Sequence, residues 1–220
     1  MADSRCVLLY TKPAREGRVK TRLIGELTPV QAAELHAAFL CDLLDRLQGG
    51  AFDLRIAWAL EKDEPLPETS TPGFRQEGDD LGERLYRGLA RAAREHDLVA
   101  AVGSDHPDLP LSRLHEAFVR LVAGVDVVLG PAEDGGYYLI ALSQQGLRGE
   151  IFSGIPWSTE GVLEATLDRC RRLGLSVSLL PRAADVDTPA DLERLAASLA
   201  ARPADCPRTQ RLLAAWGRMG

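Results

Sequence analysis

Three absences bound what this 220-residue chain can be. No apolar run approaches the roughly 20 residues that a membrane-crossing helix needs. The amino-terminal residues carry Asp3 and Arg5 ahead of only a short apolar stretch, unlike a secretion signal. Cysteine is scarce and scattered: Cys6, Cys41, Cys170 and Cys206 form no C-x-x-C pair, which removes zinc-framework and dithiol-redox readings. Cys6 stands in an apolar run and is expected as a buried, reduced thiol. A basic excess is missing as well. Lys and Arg number 26 against 32 Asp and Glu, and the resulting net charge of −6 argues against binding nucleic acid through its phosphates. No internal repeat or low-complexity segment is present. The expectation is a soluble, cytoplasmic globular protein with neither nucleic-acid nor membrane partners, long enough to bury a core unaided.

The chain has strands alternating with helices. Apolar runs at 5–10, 53–60, 98–103, 127–129, 137–142 and 175–180 read as strands, several of them apolar on both faces. Thr28 followed by Pro29 opens a helix to residue 47, with Leu35, Phe39, Leu43 and Leu47 at helical spacing. Further helices are expected over 81–95, 112–122, about 158–173, and from Thr188–Pro189 onward. Ser158 or Thr159 suits the cap of the fourth. The segment 61–73, rich in proline and acid, reads as an exposed loop. This alternation predicts an α/β fold with a mostly parallel sheet. Residues 1–200 are expected as one domain. A tail, 201–220, follows, with room for a short helix around Gln210–Trp216.

In such sheets the ligand crevice lies beyond the carboxyl ends of the strands, so the loops that follow strands carry the chemistry. The loop after the first strand, TKPAREGRVKTRL, holds Lys12, Arg15, Arg18, Lys20 and Arg22 around Gly17. Cations supply donors for phosphate oxygens, and glycine lets backbone N–H groups come close. A solvated charged loop is the competing reading. The loop at 103–110, GSDHPDLP, places Asp105 two residues past a strand, where a carboxylate suits a hard cation such as magnesium. A turn residue or helix cap is its alternative, and Asp108 fits the capping role better. His106 is expected as an orienting or exposed residue. In PRAADVDTPADL, Thr188 or Asp187 can cap the next helix, which explains one of the acids Asp185 and Asp187 but not both. Phosphate-binding cations with metal-binding carboxylates form the set that nucleotide transfer chemistry requires.

Taken in order, KPAREGRVKTRL, QEGDDLGERL, GSDHPDLP, GPAEDGGYYLIAL, IPWSTEGV and DVDTPADL resemble a bacterial family of GT-A-fold, glycosyltransferase-like proteins, with members assigned to arsenosugar biosynthesis. The set is also similar to nucleotidyltransferases that guanylylate phospholactate or the molybdopterin cofactor. The resemblance runs over about residues 6–195. It implies a GT-A, nucleotide-diphospho-sugar transferase fold with a mixed sheet between helices. On this basis Lys12, Gly17, Lys20, Arg22, Gln76 and Ser104 would bind the nucleotide and its phosphates, and Asp105 would be the metal-binding aspartate. The usual Asp-x-Asp is here Ser104-Asp105-His106, so a second metal ligand is sought elsewhere, with Asp187 placed ahead of Asp185.

The turn GPAEDGG, between two apolar runs, would belong to the donor or acceptor pocket with Tyr137 and Trp157. Asp134 would bind sugar hydroxyls or act as general base, and Gly135 and Gly136 would admit a close ligand, with Glu133 an exposed neighbour. A hairpin with a polar turn explains the same residues. One of Tyr137 and Tyr138 is expected in the core and the other toward the pocket. Trp157 can stack on a base or sugar, or belong to the core. Gln76 can read a base edge, Gly82 can permit close approach, and Asp80 is expected to cap a helix.

Three functions are carried forward. The first is a magnesium- or manganese-dependent glycosyltransferase that moves a group from a nucleotide-activated sugar to a small acceptor. The second is a nucleotidyltransferase that joins an NTP to a phosphorylated acceptor and releases pyrophosphate. The third is a non-catalytic nucleotide-binding protein. Self-association into a homo-oligomer is compatible with each.

Overall fold

The computed structural model describes residues 3–202 and 205–219. The chain separates into two compact units. The first comprises the residues through Thr11, Ala51–Gly103 and Pro110–Ala183. The second comprises Lys12–Gly50, Ser104–Leu109 and the residues from Ala184 onward.

The first unit is built on a seven-stranded sheet. Its strands are β1 (Arg5–Thr11), β2 (Asp53–Trp58), β3 (Gly73–Arg75), β4 (Leu98–Gly103), β5 (Val127–Pro131), β6 (Tyr137–Ser143) and β7 (Val177–Leu179), in the order β3-β2-β1-β4-β6-β5-β7. The strands that are apolar on both faces, β1 and β4, lie inside the sheet, where neither face meets water. Fully buried side chains such as Leu8 and Leu129 each contribute about 1.5–3 kcal/mol relative to exposure. All pairings are parallel except those of β6, which runs antiparallel to both β4 and β5. Three helices pack on this sheet or its loops: α2 (Leu81–Ala92) on β1 and β4, α3 (Leu111–Val122) on β4, β5 and β6, and α4 (Val162–Arg172) beside the short 3-10 turn Gly149–Ile151.

The second unit is helical, with α1 (Pro29–Leu47), α5 (Pro189–Ala201) and α6 (Pro207–Ala215). Its core gathers Leu23, Leu27, Leu35, Phe39, Val186, Leu192, Leu195, Leu199, Cys206 and Leu213. Two helix starts follow from short motifs. Thr28 and Gln31 form a reciprocal capping box at α1, as Thr188 and Asp191 do at α5, each with proline at the first helical position. The cap of α6 comes from elsewhere. Asp42, buried on α1, accepts hydrogen bonds from the N–H groups of Arg208 (3.0 Å) and Thr209 (2.8 Å).

Several local expectations are corrected. The loop at 61–73 ends in β3, a three-residue edge strand too short to show a period. Helix α4 begins at Val162 behind Gly161, not at a Ser158 or Thr159 cap. Ser158 has φ 64°, and the Thr159 hydroxyl donates to the Pro156 carbonyl. Asp108 caps nothing: α3 starts behind Pro110 without a side-chain cap, and Asp108 pairs with Arg202 at 3.1 Å. Among the described residues no helix is long and apolar enough to cross a membrane.

Candidate functional site

In the first unit, the turn from Ala132 to Gly136 reverses the chain between β5 and β6. The Ala132 N–H donates to the Gly136 carbonyl, and Asp134 Oδ1 accepts from the Gly136 N–H at 2.9 Å. Gly135 has φ 88°, and a Cβ there would stand 2.2 Å from the Glu160 carbonyl oxygen. Its lack of a side chain thus serves packing against residues 159–161 of the same unit. Asp134 and Glu133 are exposed. Tyr138 is buried and donates to the Pro181 carbonyl at 3.1 Å. Tyr137 meets Trp157 edge-on, ring centroids 6.3 Å apart, and burial pushes its phenol up. Trp157 also lies against Gly82, whose Cβ would come 2.7 Å from the indole nitrogen. Trp157 and Tyr137 therefore support the turn from the side of the core. Gln76 ties the strand ends together, its amide donating to the carbonyls of Ala57 (2.8 Å) and Thr11 (3.4 Å). Asp80 caps α2 as expected, accepting from the Glu83 N–H.

In the second unit, residues from three loops converge on one side chain. Lys20, at the end of the basic loop, adopts the left-handed backbone region (φ 46°) and turns its side chain inward until 2% of it is exposed. Its ammonium donates to Asp105 Oδ1, to the Val186 carbonyl (2.7 Å) and to Asp187 Oδ1 (3.3 Å), and lies 5.4 Å from the centre of the Phe39 ring. The Val186 N–H donates to the Asp105 carbonyl at 3.2 Å, joining the 104–109 and 184–188 loops directly. Arg22, 69% exposed, leans on Asp187 at 3.5 Å. Behind Asp105, His106 is buried with Nε2 2.9 Å from Asp185 Oδ1. Asp105 and Asp187 keep 45% and 33% of their side chains exposed, so the ammonium is sealed beneath and the carboxylates face outward.

The electrostatics follow from this arrangement. Desolvation would raise the Asp105 carboxyl, but the adjacent Lys20 charge and its hydrogen bond outweigh that and hold it below the usual carboxylate range. His36, buried on α1, is held below its ordinary value chiefly by burial. A neutral imidazole facing a carbonyl must present its N–H, so His36 Nε2 donates to the Lys12 carbonyl at 3.0 Å and fixes the start of the basic loop. Gly17, with φ 69°, allows the loop's turn. Ser104 is buried ahead of Asp105.

The residues expected from the sequence thus fall into two groups. Lys12, Gly17, Lys20, Arg22, Ser104, Asp105 and Asp187 lie in the second unit; Gln76, Glu133, Asp134, Gly135, Gly136, Tyr137 and Trp157 lie in the first. Lys20, expected to meet phosphate, is engaged by Asp105 and Asp187. His36 and the His106–Asp185 pair are the supporting residues that sequence reasoning missed or undervalued. For the histidines, a polar side chain on the apolar face of α1 and a second acid two residues before Asp187 were the available signals. Among the described residues no three His, Cys, Asp or Glu side chains are grouped to hold a metal by themselves. Two outward-facing carboxylates still suit a hard cation that takes its other ligands from phosphate oxygens and water.

The sheet is mixed, with one antiparallel strand set among parallel ones, and the fold is that of the nucleotide-diphospho-sugar transferases, as the following likeness shows. A protein from Desulfovibrio desulfuricans G20, provisionally described as a nucleotide-diphospho-sugar transferase, matches with a TM-score of 0.90 and 32% identity, over 99% of this chain and 97% of its own. The chain belongs to the family described as "uncharacterized protein conserved in bacteria (DUF2064)", whose model matches residues 44–159. More distant likenesses concern the fold alone. A cytidylyltransferase from Leptospira borgpetersenii serovar Hardjo-bovis gives a TM-score of 0.57 at 13% identity, covering 99% of this chain and 97% of its own. A Mycobacterium tuberculosis H37Rv protein in complex with manganese gives 0.51 at 16%, covering 88% and 98%. The search of curated proteins gave no match.

Proposed function

We propose that this protein is a divalent-metal-dependent transferase that uses a nucleotide-activated donor, a nucleoside-diphosphate sugar, and a small acceptor. The observation that carries the reading is the convergence of Asp105 and Asp187, from separate loops, on one buried ammonium while 45% and 33% of their side chains stay exposed. The likeness to the Desulfovibrio protein supports the same donor class.

In this reading Asp105 and Asp187 would hold magnesium or manganese, which when bound neutralises charge developing on the leaving diphosphate. Arg22, exposed beside Asp187, and the Lys12 loop fixed by His36 supply donors for phosphate oxygens. Lys20 keeps the two carboxylates at a fixed separation. Asp134, whose Oδ1 is tied to the Gly136 N–H, offers its other oxygen to an acceptor hydroxyl.

The tie between Asp134 and its own turn also favours a second reading, a nucleotidyltransferase. A phosphate nucleophile is already ionised and needs no base, so there Asp134 would serve only the turn. The deciding experiment is a thermal-shift panel of NTPs and NDP-sugars with and without manganese, followed by turnover of wild type and Asp134→Asn. A metal-dependent shift with an NDP-sugar, and a loss of about 10²-fold or more in kcat for the variant, is expected. A shift with an NTP alone, with Asp134→Asn near wild type, establishes the second reading. No shift with any nucleotide refutes both.

A further inference from the structure

The Lys20 side chain is more deeply placed than a phosphate-contacting lysine needs to be. Its ammonium is sealed from solvent, has three oxygen acceptors and an aromatic face around it, and is held by a left-handed backbone that a non-glycine residue adopts at a cost. Each ammonium hydrogen therefore has an acceptor within the chain, which leaves none for a ligand. Asp105 and Asp187 carry two negative charges, and Lys20 with Arg22 carry two positive ones.

We propose that Lys20 is a positioning residue that sets the spacing of Asp105 and Asp187 and neutralises them, so that the pair rejects a free divalent cation and accepts one only together with a polyphosphate. The inference rests on the metal–nucleotide reading of this site given above. A divalent ion arriving alone meets two carboxylates already balanced by neighbouring cations, and the Lys20 charge repels it at close range. The same ion arriving on a diphosphate or triphosphate brings its own negative charge and most of its oxygen ligands, so two carboxylate oxygens suffice. Lys20 thus makes loading ordered: the nucleotide carries the metal in.

The test is manganese binding, followed by the electron paramagnetic resonance signal of the free ion, in wild type, Lys20→Met and Lys20→Arg. Without nucleotide, Lys20→Met is expected to bind manganese at least tenfold more tightly than wild type. Lys20→Arg, which keeps the charge, should not. Adding Asp105→Asn to Lys20→Met should abolish the gain. Wild type binding the free ion as tightly as Lys20→Met, or a gain that survives Asp105→Asn, overturns the proposal. Should circular dichroism show Lys20→Met to be unfolded, wild type alone decides. Its manganese affinity should rise at least tenfold on adding UDP or CTP at a concentration that shifts its melting temperature, and equal affinities overturn the proposal. If no nucleotide shifts the wild type, the functional reading fails, while the comparison of the free-ion affinities still decides the role of Lys20.

Discussion

Replacing Asp105 with alanine should destabilise the protein, although removing an acid from a functional site often has the opposite effect. Two neighbouring carboxylates left to themselves repel, and deleting one would relieve strain. Here the Lys20 ammonium lies between them and is itself buried. A hydrogen bond to a charged group is worth about 1.5–3 kcal/mol, and breaking a buried ion pair from one side costs about 3–5 kcal/mol. Two features reduce the figure: Asp105 is 45% exposed, which screens the pair, and Lys20 keeps Val186 and Asp187 as acceptors. A loss of about 1–3 kcal/mol is expected. At roughly 2–4 °C per kcal/mol for a chain of this length, the melting temperature should fall by about 2–12 °C. Asp105→Asn, which keeps an acceptor, should lose less. The pH dependence has a definite sign. The Asp105 carboxyl is depressed in the folded protein, so its contribution is complete above the unfolded value near 4 and disappears as pH falls through the depressed folded value. The gap between wild type and Asp105→Ala should therefore be flat from about pH 5 to 8 and close below about pH 4. Differential scanning calorimetry across that range measures it. An Asp105→Ala variant that melts at or above wild type at pH 7 would refute the claim that Lys20 neutralises the pair.

Two further predictions concern the rest of the molecule. Asp42→Ala removes the cap of α6 and strands two N–H groups in a buried place, so urea unfolding should show a loss of about 1–3 kcal/mol with an unchanged slope, together with faster amide exchange at Arg208 and Thr209; an unchanged midpoint would show that α6 does not depend on α1 for its start. Of the four thiols only Cys41 is exposed, while burial pushes Cys6 and Cys170 up to about 11 and Cys206 up to about 12. A thiol reagent should therefore modify one equivalent promptly in the native protein and all four after denaturation, and a second fast equivalent would contradict the packing described here.

What the sequence made legible were features encoded within a few residues. Thr28-Pro29 and Thr188-Pro189 announce helices because the cap, the fixed proline φ and the Gln or Asp three residues past the cap all lie within one turn. Strands β1 and β4 are legible because both faces are apolar over five or more residues. β3 is not, since three edge residues carry no period. The Asp42 cap of α6 joins residues 166 and 167 positions apart, and no local pattern encodes it. The same limit explains the candidate site. Sequence reasoning placed cations on one loop and carboxylates on two others, correctly reading all three as strand-following loops, and then gave each set a separate ligand. No local pattern encodes the meeting of the three loops. A lysine and two aspartates brought within reach in a partly desolvated place will pair before either binds anything, because an unpaired charge there costs more than the bond restricts. Lys20 and Asp105 are 85 residues apart, and Lys20 and Asp187 are 167 apart. The clue within the sequence was stoichiometric: five cations on one loop, more than a diphosphate requires, in a chain whose other strand-following loops carry Asp105, Asp185 and Asp187. Where a cation-rich loop and acid-bearing loops share a unit, some of the cations belong to the acids. Arg22 stays largely exposed beside Asp187, while Lys20, turned inward, is held by both carboxylates.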